Sequence, residues 1–436
     1  MTPPARLSAA IDILAEIEAR RRPAAEALKD WGLSHRFAGS GDRAAIAGLV
    51  FDTLRRRASS AYIMDEQSPR AILLGMLRLE RGLSPDAIAA LASGARFAPA
   101  PLAASERARI EAVNLTDAPA WIAGDYPQWL DPHLARTFGE DRAAEGGALA
   151  SRAPLDLRVN LLKAERDGAA AALAHLHPVP TPWSPFGLRI VLDAGARNPA
   201  VHAEPAFIKG MIEVQDEGSQ LAALLTAAKP GEQVIDLCAG AGGKTLALAM
   251  IMSNRGQIYA TDLDKRRLAP IHARLERAGA HDVQVRTPKI RGQEDVLAGL
   301  ENRADLVLID APCTGIGIWR RNPDAKWRVR PGALALRLKE QHALLDRAAA
   351  LVKPGGRIAY VTCSLLVEEN QDQVRTFLAR QPQFAALPPE QVADVLGHCA
   401  GAFRAAVQRS PEGLLMTPRR THTDGFFVSL LVKQPG

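Results

Sequence analysis

The sequence predicts an α/β protein built on a mostly parallel sheet, preceded by a small α/β segment and an all-α domain. Three features of the 436-residue chain lead there. The first part is rich in Ala, Leu and Arg with helical spacing and no strand-like alternation. Alternation first comes at LDLRVNLLKA, Leu155 to Ala164, just after a Gly146-Gly147 pair and Pro154 that read as a boundary. From Gln233 short apolar runs alternate with helical stretches, the pattern of parallel strands covered on both faces. Domains are therefore expected over 1–143 (all-α), 144–225 (small α/β) and 226–436 (parallel sheet), in keeping with the usual size of a folding unit.

In the first domain, LSAAIDILAEIEARRR puts Ile11, Leu14 and Ile17 on one side of a helix, and DRAAIAGLVFDTLRRR predicts another. In the third, strands are expected at QVIDLC, QIYATD, VQVR, ADLVLID, RIAYVTC and FFVSLLV, with helices beginning near Lys244, Asp264, Pro331 and Glu368.

With 47% hydrophobic residues the chain has material for ordinary cores. Cys238, Cys313, Cys363 and Cys399 are spread without any CxxC pair, which argues against a disulfide framework or a structural zinc and predicts no metal. Neither a signal or transit peptide nor a run of roughly 20 apolar residues is evident, so a reduced, cytoplasmic setting with no membrane partner is expected. A monomer is the default expectation. The net charge is +6, and the chain through Ala143 holds 18 basic and 18 acidic residues, so the whole surplus lies beyond it. The densest patch is WRRNPDAKWRVR, Trp319 to Arg330, where five basic residues meet one Asp and two tryptophans interleave. Charge with stacking surface suits single-stranded nucleic acid, with Arg320 and Arg321 at phosphates and Trp319 or Trp327 against bases. A solvated loop whose tryptophans pack into the core is the alternative.

VIDLCAGAGGKTLALA, Val234 to Ala249, reads as strand, glycine turn and helix start. A Walker A loop needs a glycine five positions before Gly243, where Cys238 stands, and GxGxxG lacks its third glycine. Gly240, Gly242 and Gly243 instead resemble the first motif of class I S-adenosylmethionine-dependent methyltransferases, a Rossmann-like fold. Asp262, 20 residues after Gly242, ends the second strand, where an acid can hold both hydroxyls of an adenosine ribose. It could equally cap the following helix, although Asp264 is the better cap candidate.

DAPCTGIGIWRRNPDAKW follows the strand ADLVLID, and YVTCSLLVEEN continues the strand RIAYVT, so Asp310, Cys313 and Cys363 should converge at the sheet edge that carries the glycine loop. Either cysteine alone could be a small buried hydrophobe. A thiol beside an activated methyl, however, suits cytosine chemistry: carbon 5 is a poor nucleophile until a thiolate adds to carbon 6 and makes an enamine. A carboxyl group at N3, here Asp310, would stabilise the charge that develops, while Cys313 and Cys363 could divide attack and release.

DLCAGAGGKT, DAPCTGIGIWRRNPDAKW and YVTCSLLVEEN together resemble the motifs of the Sun-type ribosomal RNA cytosine-5 methyltransferases. The likeness extends to LRVN from Leu157, VQDEGSQLAA from Val214 and DGFFVSLL from Asp424, and DRAAIAGLVFDTLRRR resembles the NusB-like RNA-binding domain of the bacterial enzyme acting on 16S ribosomal RNA. The resemblance implies S-adenosylmethionine as cofactor, 16S ribosomal RNA as substrate, Cys363 as nucleophile and Cys313 as the residue that assists release. Because DNA cytosine-5 methyltransferases attack through a Pro-Cys cysteine, Cys313 is the competing nucleophile. The resemblance also sets Cys238, Ala239, Gly240, Ala241, Gly242, Gly243, Lys244, Asp262 and Asp310 around the cofactor, with Lys244 supporting the catalytic carboxylate. Relatives often carry an acid after the third strand to meet adenine; VQVRTPKIRG has none, so either a backbone carbonyl or Thr287 makes that contact or adenine is held differently. A transfer RNA methyltransferase and a non-catalytic ribosome assembly factor are the alternative functions.

Overall fold

The structure, a computed structural model, describes residues 1–192, 199–288 and 295–435. It divides into two compact units. The first is Met1–Arg152 together with Trp319–Arg330, and the second takes the remaining described residues from Ala153 onward.

The first unit is helical, and serine or threonine followed by proline starts several of its helices. Thr2, Ser68 and Ser84 cap the helices Pro3–Arg20, Pro69–Leu79 and Pro85–Leu91 by accepting from the backbone N–H of Ala5, Ala71 and Ala87. Each proline lies at a position whose N–H has no partner in a helix anyway. Leu7, Ile13, Leu14 and Ile17 of the first helix pack with Ile46, Val50, Leu73 and Leu77 in one core, while Ile11 sits at its margin. The glycine pair expected to mark a boundary lies instead inside the helix Arg142–Ala150. A Cβ on Gly146 would stand 2.6 Å from the Gly124 carbonyl and from the Tyr126 ring, so this glycine permits a close helix approach. The division between units consequently falls after Arg152, nine residues past the expected one.

Trp319–Arg330 is the larger departure, because the chain leaves the α/β unit after Ile318 and returns at Pro331. Between them, Lys326, 1% exposed, donates from Nζ to the carbonyls of Arg55 and Asp125, both at 2.7 Å. Trp327 Nε1 donates to the Leu54 carbonyl at 2.7 Å. Leu54 and Arg55 end the helix Ser40–Arg55, where carbonyls lack helical partners and a cation is favoured. The segment thus caps a helix of the first unit. Burial lowers the Lys326 pKa to about 7.

The second unit contains two sheets. Strands β1 (Leu155–Val159), β2 (Val179–Pro180), β3 (Gly187–Ile190) and β4 (Ile212–Val214) form an antiparallel sheet ordered β2-β3-β1-β4. The second sheet holds β5 (Gln233–Asp236), β6 (Gln257–Ala260), β7 (Val283–Val285), β8 (Ala304–Asp310), β9 (Val352–Thr362), β10 (Phe384–Ala386), β11 (Gln408–Ser410), β12 (Gly413–Met416) and β13 (Phe426–Lys433). Its order is β11-β12-β13-β9-β8-β5-β6-β7, with β10 also paired to β13. From β7 to β9 all neighbours are parallel, and β13 closes antiparallel on β9. The mostly parallel sheet expected from Gln233 onward is present, as are all six expected strands. Successive strands run outward from β5 through β6 to β7, then resume on its other side with β8 and β9. Ligands of open α/β sheets bind at such a switch, beyond the strands' carboxyl ends.

Replacing Lys326 by Met removes the donors of two buried carbonyls. The change is expected to destabilise the protein by roughly 2–4 kcal/mol in urea unfolding followed by tryptophan fluorescence. A loss below about 0.5 kcal/mol, the range of ordinary surface changes, would contradict the capping role.

Candidate active site

At the carboxyl end of β5 the chain turns through Gly240 and Gly242, both left-handed at φ 50° and 87°, into the helix Gly243–Ile251. A Cβ on Gly242 would lie 2.5 Å from Ile271 Cγ1, so side chains are excluded there by space as well as by backbone. Two arginines hold the loop's carbonyls. Arg158 donates to Gly243 O at 2.8 Å and Arg274 to Ala241 O at 2.7 Å. Arg158 is fully buried in β1, and burial lowers its pKa to about 10, which leaves it charged at neutral pH.

Asp262, two residues beyond β6, accepts from the Gly240 N–H at 3.1 Å through Oδ2 and from the Asp264 N–H at 2.9 Å through Oδ1. Asp264, not Asp262, caps the helix Lys265–Leu268 by accepting from Arg266 N–H. Oδ2 also lies 3.6 Å from the exposed Arg267 guanidinium, and the two carboxylate oxygens beside a glycine turn fit the vicinal hydroxyls of an adenosine ribose. The donor set therefore suits S-adenosylmethionine. Thr287 is exposed just past β7, and part of VQVRTPKIRG, residues 289–292, lies outside the described residues.

Across the switch point Lys244 Nζ meets Asp310 Oδ2 at 2.6 Å, tying the first turn of the glycine-loop helix to the end of β8. Lys244 is buried, its ammonium 5.0 Å from the centre of the Phe426 ring, while the Asp310 carboxylate is 34% exposed. Beneath them lies Asp236, fully buried, accepting from the Thr245 hydroxyl at 2.7 Å. Burial pushes its carboxyl up to about 7.

Cys313 and Cys363 come together, with their sulfurs 3.3 Å apart. The Gly317 N–H donates to the Cys363 carbonyl at 2.9 Å, binding the loop after β8 to the loop after β9. The hydrogen bond to Cys363, then burial, pushes the Cys313 thiol well up. Cys238 is also pushed well up, by burial and then by the carboxylates of Asp236, Asp262 and Asp310, which disfavours it as a nucleophile. Cys399 is half-buried beside the Pro182 carbonyl at 3.9 Å and remains a packing residue.

The tryptophan and arginine segment does not offer the surface expected of it. Trp319 is 1% and Arg320 4% exposed, so neither an open indole face nor an exposed guanidinium is presented to RNA. Apolar packing of the indole outweighed the charge pattern around it. Arg321 and Trp327 are half-buried, and Trp327 packs against the core of the helical unit with Arg57 5.6 Å from its ring. Arg158, Arg274, Asp236 and Thr245 escaped the sequence reading, although Arg158 lies within the quoted LRVN and Thr245 follows the glycine loop. Hydrogen bonding over 85 residues, from Arg158 to Gly243, leaves no local spacing to detect. Among the described residues no group of three or more His, Cys, Asp or Glu could hold a metal, and no helix is long and apolar enough to cross a membrane.

Asp236 carries a pH-dependent prediction. Its folded pKa lies above the ordinary carboxyl value, so the folded state binds this proton more tightly. That stabilisation is complete below about pH 4 and is lost as pH rises through about 7. Asp236→Asn keeps an acceptor for Thr245 and removes the charge, so its melting temperature should exceed the wild type's by a few degrees at pH 8, the gap narrowing below pH 7 and closing only near pH 4. A difference independent of pH would contradict the burial of this carboxylate.

Comparison with known proteins agrees with the fold and the motifs. Residues 223–432 match the family described as 16S rRNA methyltransferase RsmB/F. The chain is 31% identical over 422 residues to the probable ribosomal RNA small subunit methyltransferase B of Synechocystis sp., covering 90% of this chain and 91% of that one. It is 33% identical over 311 residues to ribosomal RNA small subunit methyltransferase B of Salmonella paratyphi C, covering 71% of this chain and 66%, just under two thirds, of that one. The crystal structure of NSun6 from Pyrococcus horikoshii with SFG, an S-adenosylmethionine analogue, matches with a TM-score of 0.59 at 21% identity. It covers 71% of this chain and 99% of that one, a likeness of fold alone. On this identity across nine tenths of its length, the chain belongs to the RsmB/F family of S-adenosylmethionine-dependent methyltransferases.

Proposed function

We propose that the protein methylates carbon 5 of a cytidine in 16S ribosomal RNA through a transient bond between Cys363 Sγ and carbon 6 of the base. The observation that carries this reading is the pair of thiols 3.3 Å apart at the sheet edge that also bears the Lys244–Asp310 ion pair. The RNA substrate follows the names of the relatives from Synechocystis and Salmonella. In this reading the segment Cys238 to Lys244, with Asp262 and Asp310, holds S-adenosylmethionine, the Asp262 oxygens taking the ribose hydroxyls. The bound cofactor supplies an electrophilic methyl group.

The rest is done by the chain's own side chains. In this reading Cys363, which follows β9 in the Thr-Cys-Ser motif, attacks carbon 6, and its neighbour Cys313, whose sulfur lies 3.3 Å away, assists release. Attack feeds electron density toward carbon 5 and N3; N3 takes a proton from solvent, the Asp310 carboxylate, oriented by Lys244, accepts the hydrogen bond from that N3–H, and the proton returns to solvent when the ring is restored. After carbon 5 is methylated its remaining proton departs, the ring double bond reforms, and the pair of the carbon–sulfur bond returns to Cys363 Sγ. There the Cys313 thiol stabilises it by hydrogen bonding. A base within a duplex cannot present carbon 6 to a thiol, so the target lies in an unpaired region or is flipped out at a cost of a few kcal/mol.

Incubation with small-subunit RNA and a labelled methyl donor tests the reading. Wild type should label a cytidine at carbon 5, and Cys363→Ser should fall to background. Cys313→Ala should instead accumulate a protein–RNA adduct that survives denaturation. Label appearing on transfer RNA alone would redirect the substrate, and no label from the wild type would favour a non-catalytic assembly factor.

A further inference from the structure

Glu369 has no part in the chemistry above, yet it is completely buried. A buried carboxylate is costly unless its lone pairs are answered. Here Oε1 accepts from the Thr314 backbone N–H at 2.9 Å and from Gln341 Nε2 at 3.0 Å, and Oε2 accepts from the Thr314 hydroxyl. Gln341, equally buried in the helix Pro331–Leu351, also donates from Nε2 to the Pro312 carbonyl at 3.0 Å. Glu369 and Gln341 therefore grip the residues immediately before and after Cys313. Adjacent Asn370 does the same for Cys363, donating to the Ser364 carbonyl at 2.9 Å and accepting from the Thr362 hydroxyl at 2.6 Å. The Tyr360 hydroxyl of β9 donates to the Glu369 carbonyl at 2.6 Å and fixes the clamp to the sheet.

We propose that Glu369 is a positioning residue that sets Cys313 against Cys363, and that it governs release of the methylated base rather than the attack on it. The proposal rests on the covalent reading given above. Attack needs only Cys363, whose flanks are held by Asn370. Release needs Cys313 as well: the carbon 5 proton passes to solvent, its electron pair forms the carbon 5–carbon 6 double bond, and the carbon–sulfur pair returns to Cys363 Sγ, which the Cys313 S–H must reach. Charge-assisted hydrogen bonds to buried groups are the strong ones, so losing the carboxylate loosens Cys313 selectively.

The test compares wild type, Glu369→Gln, Thr314→Val and Cys313→Ala on labelled small-subunit RNA, reading multiple turnover and the adduct fraction on a denaturing gel. Glu369→Gln should still methylate in the first turnover while steady-state turnover falls roughly ten- to a hundredfold, the factor for one charge-assisted hydrogen bond, with adduct accumulating. Thr314→Val keeps the backbone N–H and loses only the hydroxyl, so it should show the same pattern more weakly. Wild-type turnover in Glu369→Gln, or slowed turnover without adduct, overturns the proposal. Should Glu369→Gln fail to fold, Thr314→Val decides alone, and absence of adduct there overturns it. Adduct in Cys313→Ala but in neither of the other variants removes the positioning role only. Absence of adduct in all variants removes the covalent reading along with it.

Discussion

Everything at the site depends on the parallel register of β8 with β9. Asp310 pairs with Val361, so the loop that carries Cys313 and the loop that carries Cys363 leave the sheet side by side. Side chains alternate with a period of two along a strand, and a slip of one residue would turn Asp310 away from the face it shares with Lys244. Apolar packing secures the register, because Leu306, Val307, Leu308 and Ile309 in β8 and Ile358, Ala359, Tyr360 and Val361 in β9 are all essentially unexposed. The chemistry is thus positioned by a core that contains none of it.

Upon that frame lies a second layer of long-range hydrogen bonds. Arg158 and Arg274 fix the carbonyls of the glycine loop, Lys244 fixes Asp310, and Glu369 with Gln341 fixes the backbone around Cys313. Each joins elements far apart in sequence, and the Arg158, Lys244, Glu369 and Gln341 side chains are buried, so a lost partner there leaves a buried polar group unanswered. Catalytic groups held in this way need little rearrangement when a substrate arrives.

The sequence was most informative where local chemistry dictates local shape. Apolar runs gave the six strands, the glycines gave the turn after β5, and strand-end position brought Asp310, Cys313 and Cys363 to one edge. It misled where local composition was overruled by packing. Gly146 and Gly147 read as punctuation, yet Gly146 lets a helix approach Gly124 and Tyr126. The basic, tryptophan-bearing stretch read as an RNA surface, but Trp319, Arg320 and Lys326 are buried, and the Lys326 ammonium serves a helix end of the first unit. The short strands β10, β11 and β12, of three or four residues each, carry too few residues for alternation to register. Glu368 and Glu369 are indistinguishable in the sequence, and only the fold buries one of them fully.

Which sulfur joins the base is the question on which the functional account turns, and it can be read by mass. RNA carrying 5-fluorocytidine arrests the reaction after methyl transfer, because fluorine at carbon 5 cannot leave as the proton does. Digestion of the trapped complex and sequencing of the RNA-linked peptide should find the nucleotide on the peptide containing Cys363. Attachment at Cys313, or a complex without any covalent link, would contradict the account.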